Sequence, residues 1–425
     1  MPGINLKKSS LAYYDHFTQT IVLKRAEQPD LLNLANAVYN PEWNAGLLLV
    51  DGAHKVLAPL AHELRHWVDM NCSIRGLKTL QEVFRLMADP SASSAAIKPL
   101  KQDITLSHFI ERYEQDDGAA RYPWQVDFSI SKPSFHEPIE HISLCFSGNS
   151  ARASNRILFK SPVYLGSMLE TCAYYQEQRD VMPLFHQEGM PRDARGNAEA
   201  ATIQFLQDPT LPEYHAIIHA ISIAARQREG THGITLAAGL CTLLLNMPQQ
   251  MLKESCRRVE DGLKGRQYGW GVSAADQMRA MSAINPEAAL IHNAVAELGR
   301  RSHSEALAYS DDLIFDLVPF WKKRRAEFFE RSHMHFVAQI NAIQGPEYFR
   351  AAIPALIENN QWLMEQKTLA LTLNRLPKRP PIMFGDGFVL DGAPEFSGLV
   401  PNYLEADTSE ATALLGIREL STEPA

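Results

Sequence analysis

The sequence predicts an α+β protein that is predominantly α-helical. Short segments of alternating hydrophobicity occur before about residue 190, amphipathic helical patterns fill most of the chain beyond residue 200, and prolines cluster after residue 376. The 425 residues allow roughly two to four domains, and a hydrophobic content of 45% provides an ample core. We expect a mixed N-terminal domain at 1–195, a helical domain at 196–375, and a Pro-rich segment with an acidic tail at 376–425.

The predicted strands are short apolar or alternating segments that end at turn residues. Four segments have this pattern: 20–24, 46–50, 126–131 and 141–146. The strand at 46–50 would end at the turn pair Asp51-Gly52, immediately before a long helix that begins near Pro59, since proline suits the first helical position. A hairpin turn is expected at 384–388.

The predicted helices follow apolar residues at helical spacing. Apart from the helix that begins near Pro59, these segments are 29–39, a helix after Pro162, 212–228, 233–247, 273–283, 286–300, 304–332 and 346–373. Helices of this number and length pack as a bundle or an irregular α-domain.

Composition and charge exclude several classes of protein. The 41 Lys+Arg against 49 Asp+Glu residues give a formal charge of −8, which argues against nucleic acid as a partner. The longest apolar run, 234–245, is far shorter than the ~20 residues of a membrane helix, so no membrane span is expected. The five cysteines contain no CxxC pair, and no apolar secretory segment follows the start of the chain. We therefore expect reduced thiols in a cytoplasmic protein.

One short motif indicates metal chemistry. Residues 62–66 read His-Glu-Leu-Arg-His, the H-E-x-x-H pattern. On an α-helix, positions i and i+4 lie about 40° apart around the axis, so His62 and His66 project toward one ion. Glu63 is rotated by about 100° and can act on a water molecule without ligating the metal. Asp69, on the same helix face as the histidines, could orient one of them through its second ring nitrogen. Two histidines on a helix face without a metal are the other interpretation.

A catalytic zinc ion needs a third protein ligand. In the extended three-histidine pattern this ligand would fall at position 72, which is a cysteine. A carboxylate on a second helix is the other common solution, and the best candidate is Glu170, which lies beside a small residue in the helical segment 167–177. Glu177, Glu82 and a thiolate from Cys72 remain as alternatives.

The two segments together resemble a known enzyme class. Residues 170–175, Glu-Thr-Cys-Ala-Tyr-Tyr, form an E-x-x-A-x-Y segment, which is similar to the glutamate helix that follows H-E-x-x-H in the gluzincin branch of zinc metallopeptidases. The resemblance is confined to these short motifs, and the interval between them is longer than in the best-known gluzincins. It implies a zincin-like N-terminal catalytic domain that holds Zn²⁺, with a helical C-terminal domain.

The resemblance also implies a mechanism and a substrate class. Zinc would polarise a water molecule and the scissile carbonyl of a protein or peptide substrate, and Glu63 would act as general base. A His or Tyr stabilises the oxyanion in such enzymes, and Tyr174, Tyr175 and Tyr268 are candidates, with Glu177 as a possible supporting residue. His215 and His219 are also spaced at i, i+4, but no glutamate follows His215, so we expect them to be core histidines.

Two functions follow from these features. The leading hypothesis is a cytoplasmic zinc metallopeptidase of narrow specificity, such as a toxin or defence effector, in which the Pro-rich segment 377–401 could restrict access. The alternative is a non-catalytic helical interaction or regulatory protein that retains a zincin-like metal site. The sequence does not indicate an oligomeric state.

Overall fold

Helices form most of the structure, accompanied by two small β-sheets, so the predominantly α-helical α+β class is confirmed. A computed structural model describes residues 11–39, 45–89, 100, 103, 110–112, 124–131, 139–148, 157–186, 192–208, 211–227, 230–266, 273–303, 305–320 and 327–405.

The helices, numbered in chain order, have the following bounds. They are α1 Gln28–Tyr39, α2 Ala45–Gly52, α3 Ala58–Asn71, α4 Ile74–Ala88, α5 Leu165–Phe185, α6 Arg192–Leu206, α7 Pro212–Ala224, α8 Gly230–Leu245, α9 Gln249–Leu263, α10 Ala274–Ile284, α11 Pro286–Arg301, α12 Asp311–Leu317, α13 Phe328–Ile340, α14 Glu347–Glu365 and α15 Leu399–Glu405.

The strands form two four-stranded sheets. They are β1 Tyr13–Tyr14, β2 Ile21–Leu23, β3 Glu111–Arg112, β4 Gln125–Ser131, β5 His141–Ser147, β6 Ile157–Pro162, β7 Ile382–Phe384 and β8 Val389–Leu390. One sheet has the order β1-β2-β7-β8 and the other the order β3-β6-β5-β4. All neighbouring pairs are antiparallel except β2 and β7, which run parallel with Ile21 opposite Ile382. The predicted strands at 20–24, 126–131 and 141–146 are therefore confirmed.

The predicted strand at 46–50 is wrong. Residues 45–52 form α2, and a π-helical turn at Ala53–Leu57 joins α2 directly to α3. A short apolar run does not distinguish a buried helix from a buried strand, because neither shows periodicity. Gly52 has right-handed helical angles and does not form a turn, and a Cβ there would lie 2.9 Å from the side chain of Leu34. The glycine therefore permits the close packing of α1 on α2.

Helices α3 and α5 carry the two sequence motifs and pack directly against each other. Nearly every residue of α3 from position 61 onward is buried, as are residues 165–176 of α5. A helix buried on all sides lies inside the core and is not a surface element. The first turn of α5 is stabilised by Ser167, whose Oγ accepts a hydrogen bond from the Tyr164 backbone N–H at 3.0 Å.

Two helices predicted in the C-terminal half are shorter than expected. The segment 304–332 is interrupted: residues 306–310 are not helical, and Ser310 begins α12 by accepting a hydrogen bond from the Leu313 N–H at 3.1 Å. Pro319 follows the end of α12 and cannot continue a helix. Helix α14 ends at Glu365, near Lys367, whose φ of 50° lies in the left-handed region typical of helix ends.

Most of the buried hydrophobic side chains of the described residues belong to one large core, and two small clusters lie apart from it. One cluster of buried side chains extends from Ala12 to Leu399. Parallel pairing of β2 with β7 brings the Pro-rich C-terminal segment beside the N-terminal strands, and the turn between β7 and β8 confirms the hairpin expected at 384–388. Beyond residue 405 the acidic tail lies outside the described residues.

Candidate metal centre

The two motif histidines face the same point. His62 and His66 are one helical turn apart on α3, and both are buried. Their Nε2 atoms are 3.1 Å apart and their ring centroids 4.7 Å apart. This arrangement agrees with the prediction made from the i, i+4 spacing.

Helix α5 brings a carboxylate to the same point. Glu170 is fully buried, with Oε2 at 3.2 Å from His62 Nε2 and Oε1 at 3.5 Å from His66 Nε2. Neither oxygen has a hydrogen bond of good geometry to any described residue. His62, His66 and Glu170 thus form a buried group that could hold a metal ion.

The spacing of these atoms fits a small tetrahedral ion. Ligands at about 2.0–2.1 Å from a tetrahedral zinc lie about 3.3–3.4 Å apart. The two Nε2 atoms are 3.1 Å apart, Glu170 Oε2 is 3.2 Å from His62 Nε2, and the other oxygen, Oε1, is 3.5 Å from His66 Nε2, so the separations are close to these values although they involve both carboxylate oxygens. A buried carboxylate without hydrogen bonds is costly unless a cation neutralises it, so the donor set suits a metal chemically as well.

A second carboxylate supports His62 from the other side of its ring. Glu177, two turns after Glu170 on α5, places Oε2 3.4 Å from His62 Nδ1. Burial alone would lower the pKa of His62, but Glu170 and Glu177 outweigh it and raise the pKa to about 10. A proton on Nδ1 directed at Glu177 would remain when a metal binds, whereas the proton on Nε2 must leave before that nitrogen can bind the metal. In the same group, burial is outweighed by His66 and His62, which hold the pKa of Glu170 well below its usual range.

Glu63 lies beside the group but outside the donor set. Its side chain is buried, and Oε2 has no hydrogen bond to a described residue. Burial raises the pKa of Glu63 above its ordinary value, although His62 and His66 act in the opposite direction. A carboxylate held in this way can accept and return a proton more readily near neutral pH.

Asp69 has a different partner from the one that the sequence suggested. Its Oδ2 accepts a hydrogen bond from Arg65 Nε at 2.8 Å, and Arg65 Nη2 donates to Thr242 Oγ1 on α8 at 2.9 Å. His66 Nδ1 has no hydrogen-bond partner among the described residues. The buried Arg65–Asp69 pair therefore connects the motif helix to α8 and does not orient a histidine.

The other candidates from the sequence are arranged as follows. Cys72 is the buried C-cap of α3 and is not among the grouped donors, and all five cysteines lack a disulfide partner, as expected. Glu82 on α4 pairs with Arg85 at 2.9 Å. Tyr174 stacks on Phe205 with ring centroids 4.7 Å apart.

The remaining sequence candidates are two tyrosines and two histidines. The Tyr175 hydroxyl accepts a hydrogen bond from Arg179 at 2.8 Å, and Tyr268 lies outside the described residues. His215 and His219 are buried and bond through Nε2 to backbone carbonyls at the end of α6, which confirms their core role.

Two residues near the centre were missed by the sequence interpretation. Tyr214, in the first turn of α7, packs its ring 6.3 Å from the ring of His62. His16, in the turn between β1 and β2, is buried, and burial together with the nearby His66 lowers its pKa to about 3. Neither residue belongs to a motif, so no local pattern could have identified them. Tyr214 directly precedes His215, but in this segment only the i, i+4 spacing of His215 and His219 forms a recognisable pattern.

No family model, no curated protein and no solved structure matches the chain. Within the described residues, the helices are all too short or too polar to cross a lipid bilayer. The geometry of the buried group is therefore the main evidence on function.

Proposed function

We propose that the protein is a zinc-dependent peptidase that hydrolyses peptide bonds in a protein or peptide substrate. The observation that carries the proposal is the convergence of His62, His66 and Glu170 on one point, with Glu63 beside them. Structural zinc sites have four protein ligands, whereas catalytic sites have three and keep a position for water. Three protein donors with an adjacent carboxylate favour the catalytic kind.

The residues of the chain have separate roles in this mechanism. His62, His66 and Glu170 would hold the zinc ion, which, when bound, supplies a Lewis acid and lowers the pKa of water. Glu63 removes a proton from water as the water oxygen bonds to the carbonyl carbon and the carbonyl π electrons move to oxygen. Glu63 then returns the proton to the amide nitrogen as the C–N bond breaks, so water and peptide yield an acid and an amine. Glu177 keeps the His62 ring in position.

Restricted access supports a narrow substrate range. The His62 side chain is 10% exposed, His66 4% and Glu170 not at all. A protein substrate would need a flexible segment that can enter this site, which suits a cytoplasmic toxin or defence effector. The Pro-rich segment contacts the motif helix, since Phe396 packs edge-on against Trp67 with ring centroids 5.2 Å apart.

The burial of His62, His66 and Glu170 also favours an alternative, non-catalytic function. A metal held in a nearly closed site could serve only to join α3 to α5 in a regulatory or interaction protein. The two functions make the same prediction for metal content and opposite predictions for Glu63.

The test combines metal content with a search for cleavage. Purified wild type should contain one equivalent of zinc, which His62→Ala loses. The zinc-loaded protein is incubated with tryptic peptides from a whole-cell lysate, and new termini are identified by mass spectrometry. We expect new termini with wild type and none with Glu63→Gln, which retains its zinc.

Each outcome separates the hypotheses. Zinc in wild type with identical termini in wild type and Glu63→Gln would support the regulatory alternative. Wild type that takes up no zinc would contradict both functions.

A further inference from the structure

Strand β4 forms an open edge of the sheet with the order β3-β6-β5-β4. Among the described strands it pairs only with β5, in an antiparallel register that runs from Gln125 opposite Ser147 to Ser131 opposite His141. In such a strand, alternate residues direct their N–H and C=O groups away from the paired neighbour. Within 126–131, no backbone hydrogen bond joins these groups to a described residue outside β5. The outer side of β4 can therefore pair with another strand.

This edge lacks the features that protect sheet edges in most proteins. Protected edges are short, bulged, or carry lysine or proline. Strand β4 has seven residues without lysine, arginine or proline, and its register with β5 contains no bulge. The opposite edge, β3, is only two residues long, and its Glu111 pairs with Lys160 of β6 at 3.0 Å. None of the seven residues of β4 is buried, and Ile130 is 37% exposed.

The sequence of β4 is complementary to a second copy of itself. Two copies related by a two-fold axis perpendicular to the sheet run antiparallel and keep the same face on the same side. All seven residues pair only when Phe128 lies opposite Phe128 of the second copy. Val126 then lies opposite Ile130, and Asp127 opposite Ser129. Apolar side chains meet apolar ones on one face, and no charge lies directly opposite a like charge on the other.

The neighbouring registers fit less well. A shift of two residues in one direction places Asp127 directly opposite Asp127 of the second copy, and like charges in that position are destabilising. The same shift in the other direction leaves Gln125 and Val126 without partners. The charge and the apolar residues of β4 therefore favour one register.

We infer that the protein forms a homodimer by antiparallel pairing of β4 with β4 of a second copy, which joins the two sheets into one continuous sheet. The pairing uses the same edge on both copies, so the assembly is closed at two chains. It covers the half-buried side chains of Val126 and Phe128, which already pack against the core, together with Ile130. The inference makes no use of the metal centre and is independent of the proposed peptidase function.

Sedimentation velocity of the full chain over a range of concentrations tests the dimer and its register. Wild type should shift from the mass of one chain to twice that mass as the concentration rises. Ser129→Glu and Ser129→Lys introduce long side chains of opposite charge at one half-buried position, which in this register lies opposite Asp127 of the second copy. By symmetry each substitution acts twice, so the dimer Kd should rise about fivefold with glutamate and fall about fivefold with lysine.

Ser397→Glu and Ser397→Lys are the matched controls. They change the net charge by the same amounts at an exposed residue outside this sheet, so the dimer Kd should stay near that of wild type. Thermal unfolding verifies that every variant is folded. In a second measurement on wild type, amide hydrogen exchange within 126–131 should slow as the concentration rises through the Kd, because dimerisation occupies the outward N–H groups.

Three results would overturn the inference. The first is a wild type that stays monomeric at the highest soluble concentration. The second is a dimer that has the same Kd in both Ser129 variants or shows no added protection at 126–131, which places the contact elsewhere. The third is assembly that continues beyond two chains, since a two-fold pairing of β4 is closed.

Discussion

Glu170 is the residue on which the proposed metal centre depends most. Its carboxylate is fully buried and within 3.5 Å of both histidine Nε2 atoms. A buried carboxylate is stabilised only by positive charge or hydrogen bonds, and the two oxygens have no hydrogen bond of good geometry. Glu177 differs because it is partly exposed and contacts the outer nitrogen of His62. The two glutamates should therefore affect metal binding unequally.

Glu170→Ala should abolish high-affinity zinc binding, because the centre loses one of three donors. Glu177→Ala should weaken binding by about 10–100-fold, as expected for a residue that only orients a ligand. Glu63→Gln is the control and should leave affinity nearly intact. Competition with a chromophoric zinc chelator measures all three. Equal affinity in wild type and Glu170→Ala would show that another residue completes the centre, with Glu177, Glu82 and Cys72 to be tested next.

The junction of helices α3 and α4 determines how the motif helix ends. Ser73 caps α4 by accepting a hydrogen bond from the Gly76 N–H at 3.0 Å, and donates one to the Asp69 carbonyl at 2.5 Å. A Cβ at Gly76 would lie 2.2 Å from that same carbonyl oxygen. Since the obstacle is backbone, α4 could accept a side chain here only by moving away from α3.

Gly76→Ala should therefore destabilise the protein by about 2 kcal/mol or more, as overpacking does. Gly196→Ala is the matched control, because that glycine lies within helix α6 with no atom within 4 Å of the added Cβ. Alanine there should stabilise by about 0.5–1 kcal/mol through helix propensity. Denaturant unfolding of both variants gives the comparison. Similar stability changes at the two positions would mean that α4 is not packed as described.

At the scale of the molecule, His215 and His219 are buried in the core and His292 is half-buried beside it. Burial is the largest cause that lowers the pKa of His215 to about 3 and the pKa values of His219 and His292 to about 4. The ordinary value is about 6.5, so in acid the unfolded chain takes up protons that the folded chain does not. Stability is complete above pH 6.5 and is lost as the pH falls toward the folded pKa values.

When the pH falls from 6.5 to 5, proton uptake by each of these histidines in the unfolded chain should lower the free energy of unfolding of the metal-free protein by about 2 kcal/mol. His292→Phe keeps a ring against Phe128, whose centroid is 4.9 Å from that of His292, and removes one titrating group. Its unfolding free energy should therefore fall by about 2 kcal/mol less than that of wild type over this range. Urea unfolding in the presence of a chelator measures both, with pH 8 as the reference. A pH dependence identical to that of wild type would place His292 at the surface.

Much of the secondary structure could be predicted where the two faces of a helix or strand differ in hydrophobicity. The segments 126–131 and 141–146 alternate in hydrophobicity, and that alternation is visible in the residues themselves. The expectation of a single core-facing side is wrong for 141–146, because His141 and Ser143 on its polar face are buried as well. The segment 46–50 is apolar throughout and shows no period, so its helix could not be told from a strand. Residues 304–332 have helical composition, but the cap at Ser310 and the proline at 319 divide the segment.

The candidate metal centre was likewise predictable only in part. The pairing of His62 with His66, and the position of Glu63 beside them, follow from i, i+4 geometry within one helix, which is a local property of the sequence. The presence of Glu170 and Glu177 at the same point depends on α5 packing against α3 across a long interval of chain. Tyr214 reaches His62 only because α7 packs beside them. Contacts between distant segments arise from how buried faces fit together, and no local pattern of residues records that fit.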